Sequence, residues 1–184
     1  MKGTLVLEEA SVIALMRAGD TDAFAGIVER YQAAVQRYLY RLTGDYELAR
    51  DLAQETFIQA YKGILKTDSD LSFKAWLYRI ATNNALQFHR RKRILSFIPF
   101  SGLKKADTLA EDRVTEPEEN IAIQDALRKV PEDQRVCLVL HYIEGFKYRE
   151  IAGALGISEE AVRKRVARGS QEFRKLYNSG GGVR

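Results

Sequence analysis

The chain has 184 residues, enough for one large domain or two small helical ones. Its hydrophobic content of 46% excludes wholesale disorder. The formal net charge of +4 does not identify a partner by itself, but the basic residues cluster at 90–93 and again over 163–175, as expected of nucleic-acid binding. A solvated helix face is the alternative interpretation of each cluster.

The first half of the chain shows nearly continuous helical periodicity and few strand signals. The pattern predicts a short helix over 9–18 with Ile13 and Met16 inward, and a second helix that begins at the N-cap Asp22 and ends at Gly44. A third helix runs from the cap Asp45 to about residue 65, and Ser72 caps a fourth. The predicted inward face of the third helix carries Leu48, Leu52, Phe57, Tyr61 and Ile64.

The periodicity fails over 94–116, where proline, glycine and short polar runs indicate a flexible linker that also carries an apolar patch from Ile94 to Phe100. Helices are expected again from 117 to about 129, from 132 to 144, over 148–155 and from 159 to about 177. The residues 179–184 are expected to form a disordered tail. The sequence therefore predicts an all-α protein of two small helical domains, 1–93 and 117–178, joined by the linker.

The segment from Tyr148 to Val162 has the layout of a helix-turn-helix. Ala152 is small where two helices approach, Gly156 follows where the turn needs a positive φ, and Ser158 is placed to cap the second helix. The second helix carries four cations, Arg163, Lys164, Arg165 and Arg168. An ordinary helical hairpin with a basic face is the alternative, but the combined features favour DNA binding.

The predicted fourth helix interleaves aromatic residues with polar and cationic ones over 72–85 and ends in the basic run 90–93. Aromatic rings can stack on bases of opened nucleic acid while cations follow the phosphates. Read alone, Phe73, Trp76 and Tyr78 are more often core residues. A third feature is acidic: Asp51, Gln54 and Glu55 lie at i, i+3 and i+4 and so share one exposed face of the third helix. Composition alone favours the alternative, a capped and solvated helix face.

These motifs, in this order and spacing, resemble the bacterial RNA polymerase sigma factors of the extracytoplasmic-function (ECF) type. The string Phe73 to Asn83 is similar to the helix that the family uses for the promoter −10 element. The run Asp51 to Ile58 is similar to its segment that grips the clamp helices of the polymerase β′ subunit. The helix-turn-helix lies where the family reads the −35 element. The domains 1–93 and 117–178 then correspond to sigma regions 2 and 4.

The resemblance implies a transcription initiation factor that brings core RNA polymerase to promoters and assists their opening. Its implied partners are core polymerase (the β′ clamp helices and the β flap), promoter DNA and an anti-sigma factor. The implied polymerase contacts are Asp51, Gln54, Glu55 and Ile58. The implied −10 contacts are Thr67, Asp68, Ser69, Asp70, Trp76, Arg79, Asn83, Arg90, Arg91 and Arg93. The implied −35 contacts are Ser158, Arg163, Lys164, Arg165, Ala167 and Arg168.

Other classes of protein explain less of the sequence. A helix-turn-helix regulator with a sensing or dimerising N-terminal half leaves the acidic face of the third helix unexplained, and a helical adaptor would leave no DNA footprint. An enzyme is disfavoured, because His89 and His141 are the only histidines and no metal-ligand cluster, P-loop or nucleophile motif is recognisable. We therefore expect no catalytic residue, metal or cofactor.

The remaining features concern the compartment of the protein. The single cysteine, Cys137, excludes an internal disulfide framework and fits a reducing cytoplasm. Its apolar neighbours predict a buried structural thiol. Neither a signal peptide nor a run of the ~18–20 apolar residues that span a bilayer is recognisable, so we expect a cytoplasmic protein without membrane insertion.

Overall fold

The computed structural model describes residues 9–66, 72–96 and 118–180, and these are all helix, turn and loop. The predicted linker from residue 97 onward and the last four residues lie outside the described residues. The described helices are α1 (Glu9–Arg17), a 3-10 turn (Thr21–Ala23), α2 (Phe24–Thr43), α3 (Tyr46–Gly63), α4 (Phe73–Ser96), α5 (Glu118–Lys129), α6 (Glu132–Tyr142), α7 (Tyr148–Leu155) and α8 (Glu159–Ser179). The predicted all-α class is confirmed.

Side-chain caps set the starts of the N-terminal helices. The Asp45 carboxylate accepts a hydrogen bond from the Leu48 amide at 3.0 Å, and the Ser72 hydroxyl accepts one from Ala75 at 3.3 Å, as predicted. The assignment of Asp22 as a cap was wrong. Asp20 takes that role, because its carboxylate accepts from the amides of residues 22 and 23 and the chain makes a 3-10 turn before α2.

Helices α1 to α4 form an N-terminal unit around the apolar face of α2. Val35, Tyr38 and Leu39 of that helix are fully buried. One inward assignment was wrong: Tyr61 is 42% exposed, and its ring meets the edge of the Phe24 ring at the rim of the bundle. On α1, Ile13 is partly buried and packs against the core, as predicted, and Val12 beside it is buried together with Met16. Side chains at the rim of a helix face are the ones that periodicity alone misplaces.

Buried polar groups fix the register of α2, α3 and α4. The hydroxyls of Tyr38 and Thr82 are 2.6 Å apart in the core, and Thr82 also donates to the Tyr78 carbonyl at 2.7 Å. The Asn84 amide donates to the Thr56 hydroxyl at 3.2 Å. Since a buried polar group without a partner is destabilising, these pairs disfavour any sliding of one helix along the next.

Helices α5 to α8 form a C-terminal unit. The apolar run of α6 is buried on all sides, and burial raises the pKa of the Cys137 thiol to about 11, so this thiol is protonated and structural. Gly169 lets α6 and α8 approach closely, because a Cβ there would lie 3.3 Å from atoms of Gln134. Helix α6 ends at Tyr142, two residues earlier than predicted, and Gly145 then adopts a φ of +75°.

The two units pack against each other, which the sequence did not indicate. Their buried apolar side chains form one continuous cluster that joins Tyr38 and Tyr78 of the first unit to Phe146 and Ile151 of the second. Helix α4 contacts α7, and α2 contacts α5 and α6. Within the described ranges, no helix is long and apolar enough to cross a membrane, and no group of three or more acidic, histidine or cysteine side chains could hold a metal.

Candidate nucleic-acid interface

The helix-turn-helix forms as the sequence predicted. Gly156 ends α7 with a φ of +66°, and the Ser158 hydroxyl caps α8 by accepting from the Ala161 amide at 3.1 Å. At the start of α7, the Glu150 carboxylate accepts from the Lys147 amide at 2.8 Å. The buried side chains Ile151, Val162 and Val166 hold the two helices together. This geometry presents the N-terminal turns of α8 outward.

The cations of α8 fall into two groups. Lys164 pairs with Glu160 one turn earlier at 2.7 Å, and Arg165 is half-buried and pairs with Asp133 of α6 at 3.2 Å. Arg163 and Arg168 are exposed and have no ion-pair partner among the described residues. Ala167, one turn after Arg163, is also exposed, and its small side chain leaves this edge of α8 open to a nucleic acid. The two arginines are therefore the guanidinium groups most available to a nucleic acid.

A second exposed stripe runs along α4. Arg79, Asn83 and Arg90 are exposed and lie on one side of the helix, since their spacings of four and seven residues are close to whole turns. Asn84, next to Asn83, is buried and bonded within the core. The exposed Arg91 and Arg93 continue the basic run. The structure therefore separates the exposed Asn83 from the buried Asn84.

Trp76 lies at the start of α4 in an aromatic stack. Its ring centroid is 5.6 Å from that of Phe73, and Phe73 is 5.8 Å from Tyr31 of α2. Trp76 is half-buried, so one part of the ring packs while another faces solvent. The residues Thr67, Asp68, Ser69 and Asp70, also expected to contact the −10 element, lie outside the described residues.

The acidic face of α3 is exposed as predicted. Asp51, Gln54 and Glu55 are exposed, Ile58 is 39% exposed, and the Gln59 amide donates to the Glu55 carboxylate at 2.8 Å. A groove of about 520 Å³ adjoins this face between α2 and α3. Its lining is Phe24, Val28, Gln32, Gln36, Arg50, Ala53, Gln54, Phe57, Ile58 and Tyr61. We call it the α2–α3 groove.

A second groove, of about 340 Å³, lies in the C-terminal unit and was not predicted. It lies among α5, α6 and α8 and is lined by Ile123, Leu127, Leu138, Val139, Tyr142, Ile143, Ser170, Phe173 and Arg174. We call it the α5–α8 groove. Tyr142 and Ile143 are 65% and 42% exposed at its edge. In the sequence, Tyr142 and Ile143 continue the apolar run of α6, so nothing local distinguished them from core residues.

Two family models match the chain in the same two units. The Sigma-70 region 2 model matches residues 27–94, which include α3 and most of α2 and α4, and the Sigma-70 region 4 model matches residues 120–172, which include α7 and the first turns of α8. The exposed stripe of α4 lies in the first match and α8 in the second. The fold and the candidate interface thus define a sigma factor of the sigma-70 class.

Individual relatives identify the branch. The chain is 34% identical over 171 residues to the ECF RNA polymerase sigma factor SigW of Bacillus subtilis, covering 87% of this chain and 91% of SigW. The chain belongs to the ECF sigma factors. It is a transcription initiation factor that directs RNA polymerase to promoters.

Solved structures show the same fold. CnrH, solved with the cytosolic domain of CnrY, superimposes with a TM-score of 0.69 at 24% identity over 91% of this chain and 96% of that one. The sigma factor RpoE of Bartonella quintana, solved with the anti-sigma factor NepR, gives a TM-score of 0.65 at 23% identity over 84% and 96%.

Proposed function

We propose that the exposed surfaces described above divide the work of promoter recognition. Helix α8 reads the −35 element, the exposed stripe of α4 with the preceding residues 67–70 reads and opens the −10 element, and the α3 face binds polymerase. The observation that carries this assignment is the exposure of Arg163 and Arg168 on a capped recognition helix. In helix-turn-helix proteins such a helix enters the major groove.

The α3 face suits the β′ clamp helices because its polar groups are not needed by the fold. Asp51 and Glu55 are exposed, and within the described residues neither side chain makes a hydrogen bond or ion pair to another helix. The adjoining α2–α3 groove adds apolar surface beside the charges. A charged rim around an apolar centre is the usual make-up of a specific protein interface.

The α5–α8 groove suits the β flap. Its lining is mostly aliphatic and aromatic, and Arg174 is exposed at its rim. An amphipathic segment could place its apolar face in this groove and leave its polar face in solvent. The exposed Tyr142 ring is the strongest anchor available there, because aromatic side chains dominate the energetics of such interfaces.

An anti-sigma factor is the proposed regulator. RpoE of Bartonella quintana was solved with the anti-sigma factor NepR. A regulator of this kind would inhibit most directly by covering the α2–α3 groove, the α5–α8 groove or both, since polymerase needs the same surfaces. Binding of regulator and polymerase would then be mutually exclusive.

Competition for core polymerase tests the α3 assignment. Asp51→Ala with Glu55→Ala should keep the helical melting profile, because exposed substitutions usually change stability by no more than about 0.5 kcal/mol. The double variant should compete poorly with wild type for core polymerase and give little run-off transcript from a promoter library. Glu172→Ala on α8 is the charge control. A double variant that competes as well as wild type would remove α3 from the polymerase interface.

A further inference from the structure

Gln87 is an exposed carboxamide on the outward side of α4, between two residues of the proposed −10 surface, Asn83 and Arg90. A helix turns by about 100° per residue, so five residues of α4 fall within an arc of about 80°. These residues are Trp76, Arg79, Asn83, Gln87 and Arg90. We call them the α4 row. Gln87 therefore shares the surface that carries the proposed promoter contacts.

The polar side chains on the other sides of α4 are engaged within the protein. The Asn84 amide donates to the Thr56 hydroxyl at 3.2 Å, and the Tyr78 hydroxyl donates to the Glu144 carboxylate at 2.7 Å. The Lys74 ammonium donates to the Glu144 carbonyl at 2.8 Å. By contrast, within the described residues no side chain of the α4 row makes a hydrogen bond or an ion pair. The fold leaves the polar groups of the row available to a ligand.

The order of chemical groups along the row fits a surface that both anchors and reads a nucleic acid. Arginines stand before and after a pair of carboxamides, Asn83 and Gln87. Cationic side chains contact phosphates and fix the register of a helix on DNA, whereas Asn and Gln side chains read base edges. Helix α4 has no acidic residue in its 24 residues, so no carboxylate of this helix repels the phosphates. Gln87 therefore has the surroundings of a base-reading residue.

The position of Gln87 along α4 indicates which part of the −10 element it faces. At 1.5 Å per residue, Gln87 lies about 6 Å beyond Asn83 and about 16 Å beyond Trp76. Successive base pairs rise by about 3.4 Å, so the two carboxamides reach different base pairs. Trp76 stands at the end of α4 to which strand opening is assigned, and Gln87 lies beside the basic run 90–93 at the other end. Gln87 thus faces base pairs that remain paired.

We propose that Gln87 is a specificity-determining residue that reads the adenine of one A·T base pair at the paired edge of the −10 element. The proposal rests on the assignment of α4 to that element. In the major groove, the Gln87 carboxamide donates a hydrogen bond to N7 of adenine and accepts one from its N6 amino group. Guanine presents the acceptor O6 in place of that amino group, so the carboxamide oxygen meets a second acceptor and the bidentate pair is lost.

A promoter library that carries all four bases at each −10 position tests this role with reconstituted holoenzyme. Wild type should prefer A·T to G·C at one position by roughly tenfold, and Gln87→Ala should bring that preference close to unity. Preferences at the other positions should not change. Gln87→Ala that keeps every wild-type base preference would overturn the proposal.

A second variant gives a change of preference rather than a loss. Gln87→Glu replaces the carboxamide by a carboxylate of the same shape, which accepts from the N4 amino group of cytosine. The preferred base at that one position should therefore move from adenine to cytosine. Gln87→Glu that lowers binding to all four bases alike would count against a base contact and indicate a neighbouring phosphate.

Salt dependence separates reading from anchoring. A residue that contacts phosphate releases counterions, so Arg90→Ala should lower the salt slope by about one and keep the base preferences, whereas Gln87→Ala should keep the wild-type slope. Asn120→Ala on α5 is the control, because it removes an exposed helical carboxamide outside the proposed surfaces and should change neither quantity. Gln87→Ala should melt as wild type does or slightly higher, since alanine is the stronger helix former.

The variants of α4 also distinguish failure of this proposal from failure of the proposed function. If Asn83→Ala or Arg90→Ala impairs binding or opening of the −10 element while both Gln87 variants match Asn120→Ala, only the role of Gln87 is wrong. If none of these variants changes binding or opening by the holoenzyme, α4 does not contact the −10 element and both proposals fail.

Discussion

The recognition helix shows how neighbouring cations acquire different roles from their surroundings. Arg165 is half-buried against Asp133, and Lys164 is paired along its own helix, whereas Arg163 and Arg168 face solvent. The planar guanidinium of Arg163 lies in the first turns of α8 and can bond the O6 and N7 atoms of guanine together. Arg168 lies more than a turn further on, where contact with phosphate is expected.

Replacement of each arginine should leave a different signature. Arg163→Ala should weaken holoenzyme binding by ~1–3 kcal/mol and relax the preference at one base pair of the −35 element. Arg168→Ala should weaken binding to all sequences alike and lower the salt slope by about one. Affinities for a panel of −35 variants at several salt concentrations measure both effects. Equal loss across the panel for Arg163→Ala would mean that the two roles are reversed.

For single residues, the sequence largely predicted which side chains face solvent, but it did not predict which side chains contact each other. Periodicity correctly placed Asp51, Gln54 and Glu55 on one exposed face, because a helix turns 100° per residue and residues three or four apart lie on the same side. It misplaced Tyr61, whose position at the rim depends on contact with Phe24. The Arg165–Asp133 pair joins residues on two helices, and a one-dimensional pattern carries no record of such a contact.

Single turns decide how whole helices are placed. Gly156 has a φ of +66° at the junction of α7 and α8, and the Ile157 amide donates back to the Ala152 carbonyl at 3.1 Å. This is the arrangement that closes a helix on a left-handed residue. A side chain at this position would meet no neighbour within 4 Å, so any penalty for substitution comes from the backbone conformation alone.

Gly156→Ala should therefore destabilise the protein by roughly 1–2 kcal/mol, the penalty for placing an L-residue in the left-handed region. Gly26→Ala is the matched control, because Gly26 lies inside α2 with open space around its Cα. That substitution should stabilise by roughly 0.5–1 kcal/mol through higher helix propensity. Urea unfolding measures both. A neutral Gly156→Ala would indicate that the turn relaxes into another conformation.

The helices were predictable as elements because their signals are local. Asp45, Ser72 and Ser158 cap the helices to which the sequence assigned them, and predicted ends differ from the structure by about two residues, as is usual where helices fray. The α5–α8 groove was not predictable, since it arises from the angle at which three helices cross. Its lining residues were indistinguishable in sequence from ordinary core.

For the whole molecule, the sequence predicted two units and a linker but not their packing. Tyr78 and Phe146 were indistinguishable from the core of their own helical units, and Gln124 and Glu144 carry no periodic signal. The contacts that these residues make exist only where the two units pack against each other. The promoter elements were assigned to the units from motif order, which remains informative even though the contact between the units was unforeseen.

His89 is a titratable side chain at the contact between the two units. It lies on α4 with its Nδ1 atom 4.0 Å from the Glu132 carboxylate of α6, and its Nε2 atom is buried without a hydrogen-bond partner. Burial lowers the pKa of His89, and the positive charges of Arg135, Lys92 and Arg93 act in the same direction. Glu132 opposes them by favouring the protonated ring. The neutral imidazole is therefore the form that the packed protein prefers.

We expect stability to fall in mild acid because of this histidine. An unfolded chain binds a proton at His89 near pH 6.5, whereas the folded chain binds it only at lower pH. Between these two pKa values the unfolded state thus holds more protons, so the contribution of His89 to stability is fully present above about pH 6.5 and is lost as pH falls through the folded pKa.

Urea unfolding of wild type and His89→Gln between about pH 5 and 8 measures this contribution. The loss in acid should be smaller in the variant, which keeps a polar group beside Glu132 but cannot titrate. Parallel curves for the two proteins would show that His89 does not control the pH response.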